Sequence, residues 1–272
     1  MPELPEVEAV RRRLDPFLTR ARIADVDLRR PDLRLPFPRH FRARLVDQIV
    51  TSLTRRAKYL LAALSSGDSL LMHLGMSGSF RTADSREDDA GEAHDHVVFH
   101  LASGAAVVFN DPRRFGFMDL LRTDRTDRHP SLKGLGPEPL SSAFDAETLA
   151  RACAGKRAPL KAALLDQRVV AGLGNIYAVE ALHVAGLSPQ RQASTIATPG
   201  GAPRDAARRL AAAIKQVLAE AIDRQTSKRY RAERFRVYDR ERERCRRPRC
   251  PGVIRRRTQA GRSTFFCPVC QR

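Results

Sequence analysis

No stretch of this 272-residue chain approaches the roughly 20 consecutive apolar residues that a membrane-spanning helix requires. The opening Met1-Pro2-Glu3-Leu4-Pro5-Glu6 is acidic and interrupted by proline, and does not read as a secretory signal. Aromatic residues make up only 6%, yet apolar residues reach 42%, which excludes a largely disordered chain and leaves enough to bury a core. Lysine is scarce: 6 of the 49 basic residues, at positions 58, 133, 156, 161, 215 and 228. Cysteine is scarce too, five in all, and four of these fall between Cys245 and Cys270. The expectation is a soluble cytoplasmic protein with no membrane partner.

Acidic residues number 31 against the 49 basic ones, a net charge of +18. From Arg224 to Arg272, 17 basic residues face 4 acidic ones. A compositional bias toward arginine explains the choice of Arg over Lys, but not the crowding of charge into the last fifth of the chain. Such a block points to a polyanion, since neutralising phosphates releases condensed counterions. No basic helix with a bulky apolar face is visible there, so nucleic acid is favoured over an anionic membrane.

Apolar residues at Val7, Val10, Leu14 and Phe17 predict a helix over about 5–18, with proline tolerated in its first turn. Between about Arg22 and Leu121 the pattern changes to short strand-like runs, including Lys58–Leu64, Ser69–Leu74, His96–Leu101 and Ala105–Phe109. Thr82–Asp95 reads as a polar surface loop. Helical periodicity returns over Ala143–Ala154, Leu160–Asp166, Asn175–Ala185 and Pro203–Arg224. The predicted class is α+β: an N-terminal helix plus β-sandwich domain over 1–125, a linker over 126–140, a helical domain over 141–228 and a cysteine module over 236–272.

Cys245-x4-Cys250, 16 residues and Cys267-x2-Cys270 form two pairs at zinc-knuckle spacing. Two disulfides are the alternative, disfavoured in a reducing compartment. One structural zinc ion on Cys245, Cys250, Cys267 and Cys270 is expected, because four thiolates leave no open position for water. Cys153, in a helical stretch, reads as a buried core thiol. If Met1 is removed, Pro2 presents a secondary amine. An α-amino group ionises near 7.7–8.0 rather than the roughly 10.4 of lysine, so much of it is free to attack carbon near neutral pH. Glu3 beside it suits a general acid or base.

Seven segments together resemble the formamidopyrimidine-DNA glycosylase/endonuclease VIII family: Met1–Glu8, Arg55-Arg-Ala-Lys58-Tyr-Leu, His73-Leu-Gly-Met-Ser-Gly78, Asp111-Pro-Arg-Arg-Phe-Gly116, Leu135-Gly-Pro-Glu-Pro-Leu140, Gly172-Leu-Gly-Asn-Ile-Tyr177 and the cysteine module. They run from residue 1 to residue 270, and the set with Met76, Arg113 and Phe115 is closest to the formamidopyrimidine branch. The resemblance implies a bifunctional base-excision repair enzyme: a glycosylase that removes oxidised purines and an AP lyase that cuts the strand by β,δ-elimination. Its partner would be double-stranded DNA containing oxidised or abasic nucleotides, bound by a monomer associated with the nucleoid when on DNA. Pro2 would attack C1′, Glu3 would protonate the deoxyribose oxygen, and Lys58 would contact phosphate near the lesion as part of the catalytic set. Met76 would wedge into the gap left by the extruded nucleotide, Phe115 would stack beside it, and Arg113 would pair with the orphaned base. His73, His94, Lys161, Asn175 and Arg262 complete the DNA-binding set. Gly172-Leu-Gly174-Asn175 would be the hairpin of a helix–two-turn–helix element, joined to a zinc β-hairpin held by the four cysteines. Tyr177 and Glu180 follow on that helix, with packing or hydrogen-bonding roles expected.

One segment departs from the family pattern. Gln225–Arg236 contains no glycine, where formamidopyrimidine enzymes usually carry a Gly-Gly-Thr-containing loop over the extruded base. That departure predicts weaker excision of 8-oxoguanine than of ring-opened purines or oxidised pyrimidines. Two other classes stay open at this point: a catalytically silent damaged-DNA-binding protein on the same scaffold, and a zinc-finger regulator, for which a sequence-reading helix is lacking.

Overall fold

Leu4, Val7, Leu14 and Leu18 recur at helical spacing with Pro5 in the first turn, and in the computed structural model they form the buried side of helix α1 (Leu4–Leu18). A capping box starts it: the Glu6 carboxylate accepts from the Glu3 N–H at 2.9 Å, and the Glu3 carboxylate accepts from the Glu6 N–H. The structure describes residues 2–84, 91–226 and 235–272. Part of the polar stretch Thr82–Asp95 and most of the glycine-free segment Gln225–Arg236 lie outside the described residues. The chain divides into two compact units, Met1–Gly134 and Leu135–Arg272.

After α1, the first unit contains β1 (Ile23–Leu28), α2 (Phe41–Leu45), β2 (Val50–Arg56), β3 (Tyr59–Leu64), β4 (Asp68–His73), β5 (Ser79–Ala83), β6 (Asp95–Leu101), β7 (Ala106–Asn110) and β8 (Phe117–Arg122). These strands form two four-stranded antiparallel sheets, ordered β1-β6-β7-β5 and β2-β3-β4-β8. One apolar core joins the two sheets and α1. Val26, Val97, Phe99, Val107 and Phe109 come from the first sheet, Leu53, Leu60, Met72 and Met118 from the second, and Val7 and Leu14 from the helix. This is the expected β-sandwich. Strand β6 is buried at every position, and its outer side is closed by a small second cluster of Ala83, Val98, Ala106 and Val108.

The second unit contains α3 (Ala146–Cys153), α4 (Leu160–Leu165), α5 (Asn175–Ala185), α6 (Asp205–Thr226) and a hairpin of β9 (Arg255–Gln259) and β10 (Arg262–Phe266). Cys153 is fully buried in α3, and burial pushes its thiol up to about 11, as suits a core thiol rather than a reactive one. The Gln167 side chain organises the turns between α4 and α5. It donates to the carbonyls of Leu165 (3.2 Å) and Leu173 (2.8 Å) and accepts from the Gly172 N–H (2.8 Å). Gly172 sits at φ +79°, a left-handed backbone, and Gly174 caps α5. Helix α5 is buried on nearly all sides, and its sequence is apolar except for Asn175, Glu180 and His183. No helix among the described residues is long and apolar enough to cross a membrane.

Candidate nucleic-acid interface and metal centre

In the first unit, two loops are locked together around one carboxylate. Asp111 is fully buried. Its Oδ1 accepts from the Ser77 hydroxyl at 2.6 Å and its Oδ2 from the Gly116 N–H at 2.8 Å, while the Arg113 N–H donates to Ser77 Oγ at 3.2 Å. The Asp111 carbonyl accepts from His96 Nε2 at 2.9 Å, and its N–H donates to the His94 carbonyl at 3.1 Å. Gly75 lets the loops touch: at φ +61°, a Cβ there would lie 2.2 Å from the Phe115 carbonyl carbon and 2.3 Å from the Gly116 nitrogen. The frame leaves Met76 and Phe115, two large apolar side chains on adjoining loops, 42% and 41% exposed. The Arg113 guanidinium lies 4.8 Å from the Phe115 ring centroid. A rigidly held apolar pair with an arginine beside it is equipped to enter an opened base stack. His94 is exposed in a left-handed conformation at φ +72°.

Lys58 is 8% exposed and falls in the tight turn joining β2 to β3, where Ala57 adopts φ +52°. His73 ends β4, between its cross-strand partners Tyr59 and Phe117, with ring centroids 4.9 and 5.4 Å away. Burial, with the charge of Lys58 second, pulls the His73 imidazole down to about 4. Its Nδ1 accepts from the Gly75 N–H at 3.1 Å, so the neutral ring carries its proton on Nε2. A phosphate held there would be held by an N–H rather than by a full positive charge. Pro2 is half-buried just ahead of α1, and Glu3 is 3% exposed as its N-cap.

In the second unit, Lys161, Asn175 and Arg262 converge on β10. Lys161 is 1% exposed; its Nζ donates to Thr264 Oγ1 at 2.6 Å and to the Ser263 carbonyl at 3.3 Å, which also accepts from Asn175 Nδ2 at 3.0 Å. Burial, with the charge of Arg262 second, brings the Lys161 ammonium down to about 8. Asn175 Oδ1 is buried without a hydrogen-bond partner. Arg262 is exposed at the start of the strand. Two cations held close together near the N-terminus of α5 could hold an anion.

The Sγ atoms of Cys245, Cys250, Cys267 and Cys270 lie within 4.8 Å of one another, so the four could hold a metal ion. Cys245–Cys270 and Cys250–Cys267 are each separated by 3.7 Å between sulfurs. That is far beyond the roughly 2.05 Å of a disulfide. It matches the edge, about 3.8 Å, of a tetrahedron of thiolates around a metal at about 2.3 Å. Gly252 makes the packing possible, since a Cβ there would meet Cys267 Sγ at 2.4 Å.

Family models for the N-terminal domain and the H2TH domain of formamidopyrimidine-DNA glycosylase match residues 1–118 and 135–231. Proteins named formamidopyrimidine-DNA glycosylase from Bradyrhizobium sp. (strain BTAi1) and Rhodopseudomonas palustris (strain HaA2) are each 58% identical, with 100% of both chains covered. This chain belongs to the formamidopyrimidine-DNA glycosylase family.

Members of the family with solved structures share the fold along the whole chain. A Lactococcus lactis enzyme bound non-covalently to DNA containing an AP site is 31% identical with a TM-score of 0.87, covering 100% of both chains. A complex of the Lactococcus lactis enzyme with DNA containing an oxidised pyrimidine gives 30% and 0.88, again with full coverage. Against this family background, three buried residues matter to which the sequence alone assigns no specific task. Asp111 stands there only as part of a motif. Glu180, 2% exposed, accepts from the backbone N–H groups of Arg236 (2.8 Å), Val237 (2.8 Å) and Tyr238 (3.0 Å), fixing the chain where it re-enters from Gln225–Arg236. His183 lies against Cys245. The signal available for the last two was an acid and a histidine inside an otherwise apolar helix.

Proposed function

We propose that the chain is a base-excision repair DNA glycosylase that removes oxidised purines, formamidopyrimidines and 8-oxoguanine, from double-stranded DNA and then acts as an AP lyase. The reading is carried by the loop pair clamped on Asp111, which offers Met76, Phe115 and Arg113 together, in a chain akin from end to end to relatives named formamidopyrimidine-DNA glycosylase. Met76 and Phe115 fill the space of the extruded nucleotide, and Arg113 pairs with the base left opposite. With Met1 removed, the Pro2 nitrogen bonds to C1′ as the glycosidic C–N bond breaks. Glu3 delivers a proton to the deoxyribose ring oxygen, which opens the sugar to an iminium ion on the Pro2 nitrogen. Loss of a C2′ proton then expels the 3′ phosphate, and a second elimination expels the 5′ phosphate. Lys58 and the Nε2–H of His73 hold backbone phosphates of the lesion strand, and His94 adds a further DNA contact. Lys161, Asn175 and Arg262 clamp a further phosphate at the start of α5.

The metal is a single structural zinc ion on Cys245, Cys250, Cys267 and Cys270, which holds β9 and β10 in the shape that presents Arg262. A second reading concerns substrate: the absence of glycine from Gln225–Arg236 favours ring-opened purines and oxidised pyrimidines over 8-oxoguanine. Borohydride trapping on duplexes carrying an abasic site, 8-oxoguanine, a ring-opened guanine or dihydrouracil tests both. An adduct mapped to Pro2 is expected, lost in Pro2→Gly while damaged-DNA affinity persists. No adduct on any duplex, with Met1 removed and binding tight, would replace the enzyme by a silent binder. Equal single-turnover rates on all lesions would refute the substrate shift.

A further inference from the structure

Glu180 and His183 are the acid and the base buried in α5; Glu180 is satisfied by three backbone N–H groups, and His183 is not. His183 is 3% exposed, its Nε2 lies 3.3 Å from Cys245 Sγ, and its Nδ1 is buried without a hydrogen-bond partner. Burying an imidazole with one nitrogen unsatisfied is unfavourable, and an apolar side chain of similar volume would avoid that penalty. The contact that remains is with one of the four sulfurs of the metal centre. A metal-bound cysteine carries no proton. Between a thiolate and an imidazole, only the ring can donate, so the proton sits on Nε2 and the orphaned Nδ1 is a bare acceptor.

We infer that His183 is a positioning residue of the metal centre: its Nε2–H hydrogen-bonds to the metal-bound thiolate of Cys245, withdrawing charge from that sulfur and tying the metal to the helix that carries Asn175. The inference rests on the four cysteines being a metal site. Its neighbourhood fits a fixed geometry. The Arg247 guanidinium donates to the carbonyls of His183 and Val184, closing the end of α5 onto the Cys245–Cys250 turn, and the Arg247 N–H reaches Cys245 Sγ at 3.5 Å. Gln271 adds a second strut, accepting from the Cys267 N–H at 2.8 Å and donating to the Leu187 carbonyl at 3.0 Å. A thiolate that accepts an N–H is a weaker nucleophile, so this contact protects one zinc ligand in an enzyme whose substrates are products of oxidation.

Cobalt(II) in place of zinc gives a direct readout, because its sulfur-to-metal charge-transfer band reports the charge on the thiolates. In His183→Phe the band is expected to move to lower energy, and metal affinity to fall about tenfold or more. Alkylation by iodoacetamide, in which the sulfur bonds to carbon and iodide leaves, should become faster at Cys245 as mapped by peptide mass. His183→Gln, which keeps a donor N–H, should recover part of each effect. An unchanged band and unchanged alkylation in His183→Phe would overturn the inference. If that variant does not fold, a long-range proton–nitrogen correlation spectrum of the wild-type zinc protein decides: a neutral ring protonated on Nε2 supports it, and a proton on Nδ1 overturns it. Wild-type protein that takes up neither zinc nor cobalt would refute the metal-site reading itself, and this inference with it.

Discussion

Replacing Asp111 with alanine should loosen the Met76 and Phe115 loops and destabilise the first unit. The side chain makes two charge-assisted hydrogen bonds, from Ser77 Oγ and the Gly116 N–H, and is fully buried. Bonds to a charged group contribute about 1.5–3 kcal/mol each, so losing both costs about 3–6 kcal/mol. That is a large share of the ~5–15 kcal/mol that holds an ordinary domain together. Asp111→Asn keeps one acceptor oxygen and should cost about half as much, and Ser77→Ala a similar amount. Urea unfolding gives the magnitudes, and a double-mutant cycle between Asp111→Asn and Ser77→Ala gives the coupling. Damaged-DNA binding by fluorescence anisotropy should weaken more for Asp111→Asn than its stability loss alone implies, because the loops no longer present Met76 and Phe115 in one arrangement. Wild-type unfolding midpoints in Asp111→Ala, or strict additivity in the cycle, would refute the clamp.

Three further outcomes follow from the same geometry. Gly75→Ala combines an L residue at φ +61° with a Cβ only 2.2 Å from the Phe115 carbonyl carbon, and should lose more than about 2 kcal/mol of stability by urea titration. Lys161 deprotonates near 8 instead of 10.5. Its charge is therefore lost from the folded protein as pH rises through about 8, and DNA affinity at fixed salt should fall there. Between these two values the unfolded chain binds more protons, so the group's contribution to stability rises with pH over the same window. Lys161→Arg should flatten the affinity profile between pH 7 and 9.5, and a parallel profile would exclude Lys161 as the titrating contact. Gly252→Ala should lower the metal content per chain below that of the wild type by elemental analysis, since the added methyl would meet Cys267 Sγ at 2.4 Å.

Features written in local sequence were legible. The spacing of Val7 and Leu14 predicted α1, and the range Asn175–Ala185 coincides with α5, because caps and periodicity act over a few residues. The paired cysteines read as a metal site for the same reason: each turn is local. Illegible from sequence were the contacts that assemble distant segments. Ser77 meets Asp111 across 34 positions, Glu180 meets Val237 across 57, and His183 meets Cys245 across 62. No periodicity connects such pairs; only the packed fold brings them together. The family resemblance marks His73 as a phosphate contact, but its neutrality comes from burial beside Lys58, which no motif records.

The Glu180 contacts have a consequence for how members of this family come to differ from one another. Arg236 is held twice, through its N–H to Glu180 and through its guanidinium to Glu220 of α6 at 2.9 Å. The chain thus leaves α6 at Thr226 and is fastened to α5 and α6 again at Arg236. Changing the number of residues between two fixed points changes closure entropy only slowly, about 0.6 kcal/mol per doubling for a flexible connection. Evolution can therefore lengthen, trim or rewrite the segment over 227–234 while the cysteine module and the Asn175 end of α5 keep their register. On the proposed reading, the preferred damaged base is a trait free to drift, and the phosphate contacts at the start of α5 a trait that is not.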